Sequence, residues 1–402
     1  MKNQSDIYSL ANYSLNLAQQ KDSNLKCAEV YFDRTKYINI EIEENSVKNS
    51  EIGSDYGGSI RCFNNKGSLG FAYTNKLEKI SISKMVKQAL SMMNAGMKDS
   101  NFKNLPKKYD KYPTVKGLFH KATKELTIED SLGYVEDVIS VCDNDELAIS
   151  QTANFSSNYL KSYIFNSNGL EAQRKATYCL LSSNIILKDN TTKENSFGYD
   201  WQAERRIEDL NAVQIATNAL EEGKRNLNRK KIKNMKVPLI LTPNSTISFI
   251  LNPLSSAINA ENFQYKRSFL IEKRGEIIGS ELLNIRDNAL LEGAVGSKAF
   301  DGEGIPCKNK VIIEKGKFLK TGLLHNNYTA NKEGIQSSGN ASRSSYSSIP
   351  KIGTTNFIME PGTFSKEEMI KEVKEVFFLF QLVIRLTLLL GTFQGSLCKE
   401  IL

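Results

Sequence analysis

One order of elements recurs along the chain and narrows its fold more than any single motif: an amphipathic helix, alternating strand-like runs, then a second helix. Residues 6–21 place Ile7, Leu10, Leu15 and Leu17 near one helical face and stop at Asp22-Ser23-Asn24. Residues 27–32 and 37–42 alternate polar with apolar, and 57–63, the turn Asn64-Asn65-Lys66-Gly67 and the return 70–74 read as a hairpin. Residues 77–97 then carry Ile80, Ile82, Met85, Val86, Ala89, Leu90 and Met93 at the spacing of a helix docked on that sheet. The same order returns as a helix over 127–142, strands over 148–155, 159–166 and 171–187, and a helix over 207–220. No residue-level repeat at fixed period accompanies it, so any duplication is structural.

This pattern predicts an α+β fold, with duplicated helix/antiparallel-sheet/helix N-terminal units followed by a mostly β C-terminal domain. The boundaries fall at 1–100, 117–223 and 236–402. Residues 98–116, with Pro106, Pro113 and many lysines, read as a surface connection. Residues 223–236 hold seven Lys or Arg and no acid, a solvated spacer. Beyond it lie six of the eight prolines, clustered glycines and short strands separated by loops, where binding surfaces tend to be built.

At 402 residues the chain exceeds what one small core needs, and 40% hydrophobic with 24% charged residues excludes wholesale disorder and a polytopic membrane protein. The charge of +8 is not gathered into one tail, so neither a nucleic-acid nor a membrane partner is expected. Six cysteines form no C-x-x-C pair and the N-terminus has no apolar leader core, which predicts a reducing, cytoplasmic location. Only His120 and His325 are present, neither beside a Glu at ligand spacing, so no metal site or cofactor is expected in this chain.

Asp301-Gly302-Glu303-Gly304-Ile305-Pro306 sets two carboxylates one residue apart among glycines, able to hold an amine, a cation or a catalytic proton. A tight acidic turn before a strand explains it equally well. Residues 328–343, rich in glycine and hydroxyls and ending in Arg343, suit phosphate or peptide-backbone binding, or a plain surface loop. His325, alone in its loop, reads as a surface or hydrogen-bonding residue. No G-x-S-x-G elbow, phosphate loop or dinucleotide fingerprint occurs. Cys62 and Cys179 read as structural, and Cys307, the one cysteine in a loop, is not expected to be a nucleophile.

Gly296, the 301–306 segment, Leu323, Gly334, Ser337-Ser338-Gly339-Asn340-Ala341-x-Arg343 and Pro361-Gly362 follow one another in an order and spacing that resembles the TldD/PmbA family. The resemblance covers roughly residues 1–375. It implies a cytoplasmic metallopeptidase of two related subunits, involved in proteolysis or maturation of small peptides and historically called a modulator of DNA gyrase. In the family, one subunit carries zinc on an H-E-x-x-x-H helix just after the strand that opens the third unit. Here residues 242–261 contain no histidine. The resemblance is therefore to the PmbA-like, or TldE-like, subunit, with Ser245, Phe249 and Leu254 as packing and caps. Zinc is expected in a partner, a TldD-like paralogue or a second copy, with a peptide as substrate. Asp301, Glu303, Asn340 and Arg343 are expected to converge on one cleft as substrate-binding residues; no catalytic residue is assigned. The competing expectation is a non-proteolytic binding or regulatory protein acting on a toxin or gyrase complex.

The tail, residues 376–390, is more apolar than anything before it but is interrupted by Gln381, Arg385 and Thr387, too short and too broken for a spanning helix. A frameshift accounts for it better. The family has a G-D-F-S-type segment at this distance, and Gly391-Thr392-Phe393-Gln394 is encodable so that the neighbouring frame reads Gly-Asp-Phe-Ser. The C-terminal domain is accordingly expected to be incomplete, and the tail to be an aggregation liability.

Overall fold

Strand β1 (Leu25–Glu43) runs for 19 residues because Ala28, Val30, Phe32, Ile38, Ile40 and Ile42, all even-numbered and all buried, keep one face apolar almost from end to end. The two short strands expected at 27–32 and 37–42 are thus one. The structure, a computed structural model, describes residues 4–227, 238–372, 377–387 and 392–401. Most of the basic spacer and parts of the apolar tail lie outside these described residues.

β1 pairs antiparallel with β2 (Ser46–Asn64) on one side and on the other with β4 (Ala148–Asn166), which likewise fuses two expected strands. With β3 (Leu69–Thr74), β5 (Glu171–Lys188) and β6 (Asn195–Glu204) the order is β3-β2-β1-β4-β5-β6. The two helix/sheet/helix units therefore share a single six-stranded sheet, joined at β1 and β4. Helices α1 (Gln4–Lys21) and α2 (Lys79–Ala95) bury Leu10, Met85, Val86 and Met93 against Val30, Phe32 and Ile60. After the short α3 (Lys121–Glu125), helices α4 (Ile128–Asp143) and α5 (Ala212–Arg225) bury Val135, Val138, Ile215 and Ala216 against Ile38, Ile40, Phe155 and Leu181. Since Val30, Phe32, Ile38 and Ile40 share one parity on β1, all four long helices cover the same sheet face, and the other face is left for the rest of the chain.

Helix starts follow local chemistry. Thr127 and Asp130 form a capping box at α4. α5 begins at Ala212, later than the expected 207, because the Asn211 side chain accepts from Gln214 N at 3.0 Å while Ile207–Asp209 is only a single 3₁₀ turn.

The third unit is mostly strand, in short pieces: β7 (Leu239–Leu241), then β8 (Ile285–Asn288), β9 (Asn309–Glu314), β10 (Lys317–Phe318), the β11/β12 pair (Ala341–Ser342 with Lys351–Ile352) and β13 (Phe357–Met359). Sheet order β10-β9-β8-β13 encloses a small core of Ile285, Ile312, Phe318, Leu323 and Leu324, with Leu254 beneath. In the tail, β14 (Phe377–Thr387) and β15 (Thr392–Ile401) pair antiparallel, and β14 lies parallel to β7. Among the described residues no helix is long and apolar enough to cross a membrane.

The outer strand of each half is docked the same way. A Cβ on Gly70 of β3 would lie 1.8 Å from the Ala89 carbonyl of α2, and one on Gly198 of β6 would lie 1.9 Å from the Ala219 carbonyl of α5. Helix backbone thus sits directly on strand backbone at both positions, which only glycine permits. Gly70→Ala and Gly198→Ala should each lower stability by about 1–3 kcal/mol through overpacking. Gly133→Ala, on an exposed face of α4 with nothing within 4 Å, should raise it by about 0.5–1 kcal/mol. Urea midpoints of the three variants check both signs.

Candidate functional site

The odd-numbered face of β1 presents Glu29, Tyr31 and Asp33 away from the helices, and the third unit docks here. Arg61 of β2, opposite Glu29 in register, donates Nε to Glu29 Oε1 at 2.9 Å and Nη2 to Glu29 Oε2 at 2.7 Å. The same Nη2 reaches Glu303 Oε1 at 3.0 Å. Arg343 Nη2 also binds Glu29 Oε1 and lays its guanidinium over the Tyr31 ring, 4.7 Å from the centroid. Two carboxylates and two guanidiniums therefore alternate in one buried, neutral array, half from the first sheet and half from the third unit. Burial pulls the Glu29 carboxyl upward, but Arg61 and Arg343 outweigh it and hold it below the usual range.

The four residues singled out from sequence lie in one neighbourhood with their polar groups committed to partners inside the protein, but of the four only Arg343 lines the cleft described next. Glu303 Oε2 accepts from Asn327 N at 2.8 Å. Asp301 accepts three backbone N–H groups, from Glu303, Ile305 and Ala341, at 2.8–3.0 Å. Burial and the nearby Glu303 carboxylate push the Asp301 carboxyl up to about 6 against those donors. Asn340 Nδ2 donates to Asp287 Oδ2 at 2.8 Å and to the Gly353 carbonyl at 2.9 Å. Arg343 also gives Nε to the Gly302 carbonyl at 2.7 Å and Nη1 to the Ser348 carbonyl at 3.1 Å.

Alongside this array opens a cleft of about 500 Å³ between the sheet and the third-unit loops. Its floor is Tyr31, Asp33, Ser162 and Arg174; Arg205, Ser297, Lys298 and Ser345 contribute to its walls. Arg174 donates Nε to Ser162 Oγ at 3.1 Å and Nη1 to the Phe300 carbonyl at 3.4 Å. Arg205 gives its guanidinium to backbone carbonyls of Thr177, Ala294, Val295 and Ser297. Burial and the neighbouring Asp55 push the Asp33 carboxyl up to about 6. None of the cleft cations Arg174, Arg205 and Lys298 was singled out from sequence. Arg174 and Arg205 sit in separate segments with no motif around them, and Lys298 lies between Gly296 and the 301–306 segment without belonging to either.

His325 departs from expectation. It is 2% exposed, neither ring nitrogen meets a well-formed hydrogen-bond partner among the described residues, and burial holds it below its usual pKa. Cys307 is buried with Sγ directed at the Gly339 carbonyl 3.2 Å away, and burial pushes its thiol up to about 12, unsuited to nucleophilic attack.

A duplicated α+β sheet clasped face-on to a β-rich unit defines a three-part architecture, and known proteins share it. Models of the PmbA/TldA metallopeptidase match as domain 1 over residues 28–93, central domain over 121–227 and C-terminal domain over 234–399. The chain belongs to the PmbA/TldD metallopeptidase family. An uncharacterized protein of Methanocaldococcus jannaschii is 32% identical over 83% of this chain and 74% of its own length. A metalloprotease PmbA homolog of Buchnera aphidicola is 28% identical over 92% of this chain and 81% of its own. The crystal structure of TldE from Thermococcus kodakarensis superposes with a TM-score of 0.85 at 22% identity, covering 98% of this chain and 89% of that one.

Glu29→Gln should cost about 3–5 kcal/mol, because it leaves guanidinium charge unpaired in a desolvated interface. The pH dependence carries the sign of a depressed carboxyl. Glu29's contribution is fully present above its unfolded pKa of about 4.3 and is lost as pH falls through the lower folded value. Melting temperatures from pH 7 down to 3 should therefore drop more steeply at the acid end for the parent than for Glu29→Gln.

Proposed function

We propose that this chain is the PmbA-like subunit of a two-subunit cytoplasmic metallopeptidase that acts on small peptides, with zinc held by a TldD-like paralogue. The observation that carries the reading is the segment after β7. It folds as Pro243–Thr246, a π-helical Ile247–Leu251 and Asn252–Ala257, the place where the family resemblance puts the ligand helix. Thr242 caps it, its Oγ1 accepting from Ser245 N at 3.4 Å, while Leu254 and Ala257 belong to the core. The side chains offered are hydroxyls, amides, alkyl groups and the Phe249 ring, and zinc selects imidazole, thiolate or carboxylate. The segment does not fit a zinc site, and no hydrolytic step is derived for this chain alone.

What remains for the chain is shape: a buried ionic array that fixes two units, and a polar cleft beside it. A substrate chamber shared with a metal-bearing partner makes use of both. The test is co-purification with a zinc-bearing paralogue from the same organism, with peptide cleavage as readout. Complex formation and cleavage that depends on both chains is the expected result; no complex and no effect on the paralogue's activity overturns the reading. Metal analysis of the purified chain should find far less than one zinc per chain. Stoichiometric zinc would reverse the subunit assignment.

Asp301→Asn and Arg343→Ala separate scaffold from site within that complex. Given the partners of both residues, each variant should melt at a lower temperature than the parent. Full specific activity of the surviving complex assigns them to the scaffold, whereas lost cleavage at an unchanged melting temperature makes them part of the site.

A further inference from the structure

Arg174, Arg205 and Lys298 come from β5, from the residue after β6 and from a third-unit loop, and all line the one cleft. None of the three makes an ion pair among the described residues, although Arg174 lies close enough to repel both of the others. The donors of Arg205 end on neutral carbonyls, which satisfy hydrogen bonds but leave the charge uncompensated. The Lys298 ammonium, half-buried, has no hydrogen-bond partner among the described residues. Burial, then Arg174, depresses its pKa. Holding three like charges around a partly desolvated cavity is unfavourable unless an anion occupies it for part of the protein's working cycle. Three carboxylates act on the cluster without forming an ion pair with it among the described residues: Asp301 and Asp287, already committed to backbone or side-chain donors, pull on Lys298, and Asp33, whose own charge burial and Asp55 disfavour, faces Arg174. Ser162 on the floor and Ser297 and Ser345 on the walls add hydroxyls, and the cavity of about 500 Å³ has room for a few residues of an extended peptide.

We propose that this cleft binds an oxyanion, the free C-terminal carboxylate of a short peptide, held by Lys298 and Arg174 with Arg205 supplying background charge. The choice of a peptide as source rests on the function proposed above; the oxyanion chemistry rests on the cleft alone. The role is binding, with no covalent step. A carboxylate there would replace mutual repulsion with charge-assisted hydrogen bonds and anchor one end of a peptide beside the joint between the sheet and the third unit.

Calorimetric titration of the purified chain with N-acetyl-tetraalanine, its C-terminal amide and inorganic phosphate tests the idea. The acid should bind, and the amide should bind at least about tenfold more weakly, the loss expected for one charge-assisted contact. Lys298→Met should weaken the acid by a similar factor without lowering the melting temperature, since its ammonium has no internal partner to abandon. Arg174→Gln should do the same if it folds, and Lys298→Met decides the matter if it does not. Phosphate binding that Lys298→Met abolishes, with no preference for the peptide acid, would keep the oxyanion site and overturn its peptide source. Equal affinity for acid and amide, or no binding of either anion, overturns the site itself. Because partner binding is read separately by co-purification, failure here leaves the subunit assignment standing.

Discussion

The Glu29, Arg61, Glu303 and Arg343 array governs how the molecule is assembled. Desolvating four charges costs about as much as their attraction returns, so its net worth as stability is small. Its worth lies in position. Glu29 and Arg61 are locked by the β1–β2 register, while Glu303 and Arg343 are locked by the Asp301 turn and the β11 strand beside it. Sliding the third unit across the sheet would strand charges in an apolar interface, so the two layers have one way to meet. The cleft is a consequence: Arg343 closes over Tyr31, and two residues along β1 the gap at Asp33 stays open.

Much of the architecture was legible because burial and period agree. The helices at 6–21, 77–97 and 127–142 and the duplicated order follow from apolar spacing alone. β6 escaped because its pattern is inverted: Phe197, Tyr199 and Trp201 point outward while Ser196 and Gly198 face α5. An aromatic alternation that faces solvent carries no burial signal. Breaks assigned within β1 and β4 arose where Arg34, Lys36 and Asn158 interrupt the apolar run, although the backbone ladder continues through them. The junction of the two N-terminal units into one sheet is long-range pairing that no local pattern encodes. The cleft cations were illegible for the same reason, since Arg174 of β5 and Arg205 just after β6 meet Lys298 of a third-unit loop only through long-range packing.

The segments that carry the family resemblance tie the third unit together and to the sheet. Asp301 gathers three backbone N–H groups, Glu303 and Arg343 reach across to the sheet, and Asn340 ties the β11 region to Asp287 beneath it. Their spacing is what a fixed interface demands of two loops some forty residues apart.

The continuous β1–β4 ladder separates covalent from mechanical continuity. Residues 98–116 form the covalent passage from the first helical pair to the second, yet β1 registers with β4 from Glu29 to Ile42. Cutting the chain within that passage severs one strand of connection and leaves a 14-residue seam of hydrogen bonds holding the pieces edge to edge. The halves behave as two leaves sewn along their common spine, and a nicked molecule would travel as one particle until the sheet itself is melted.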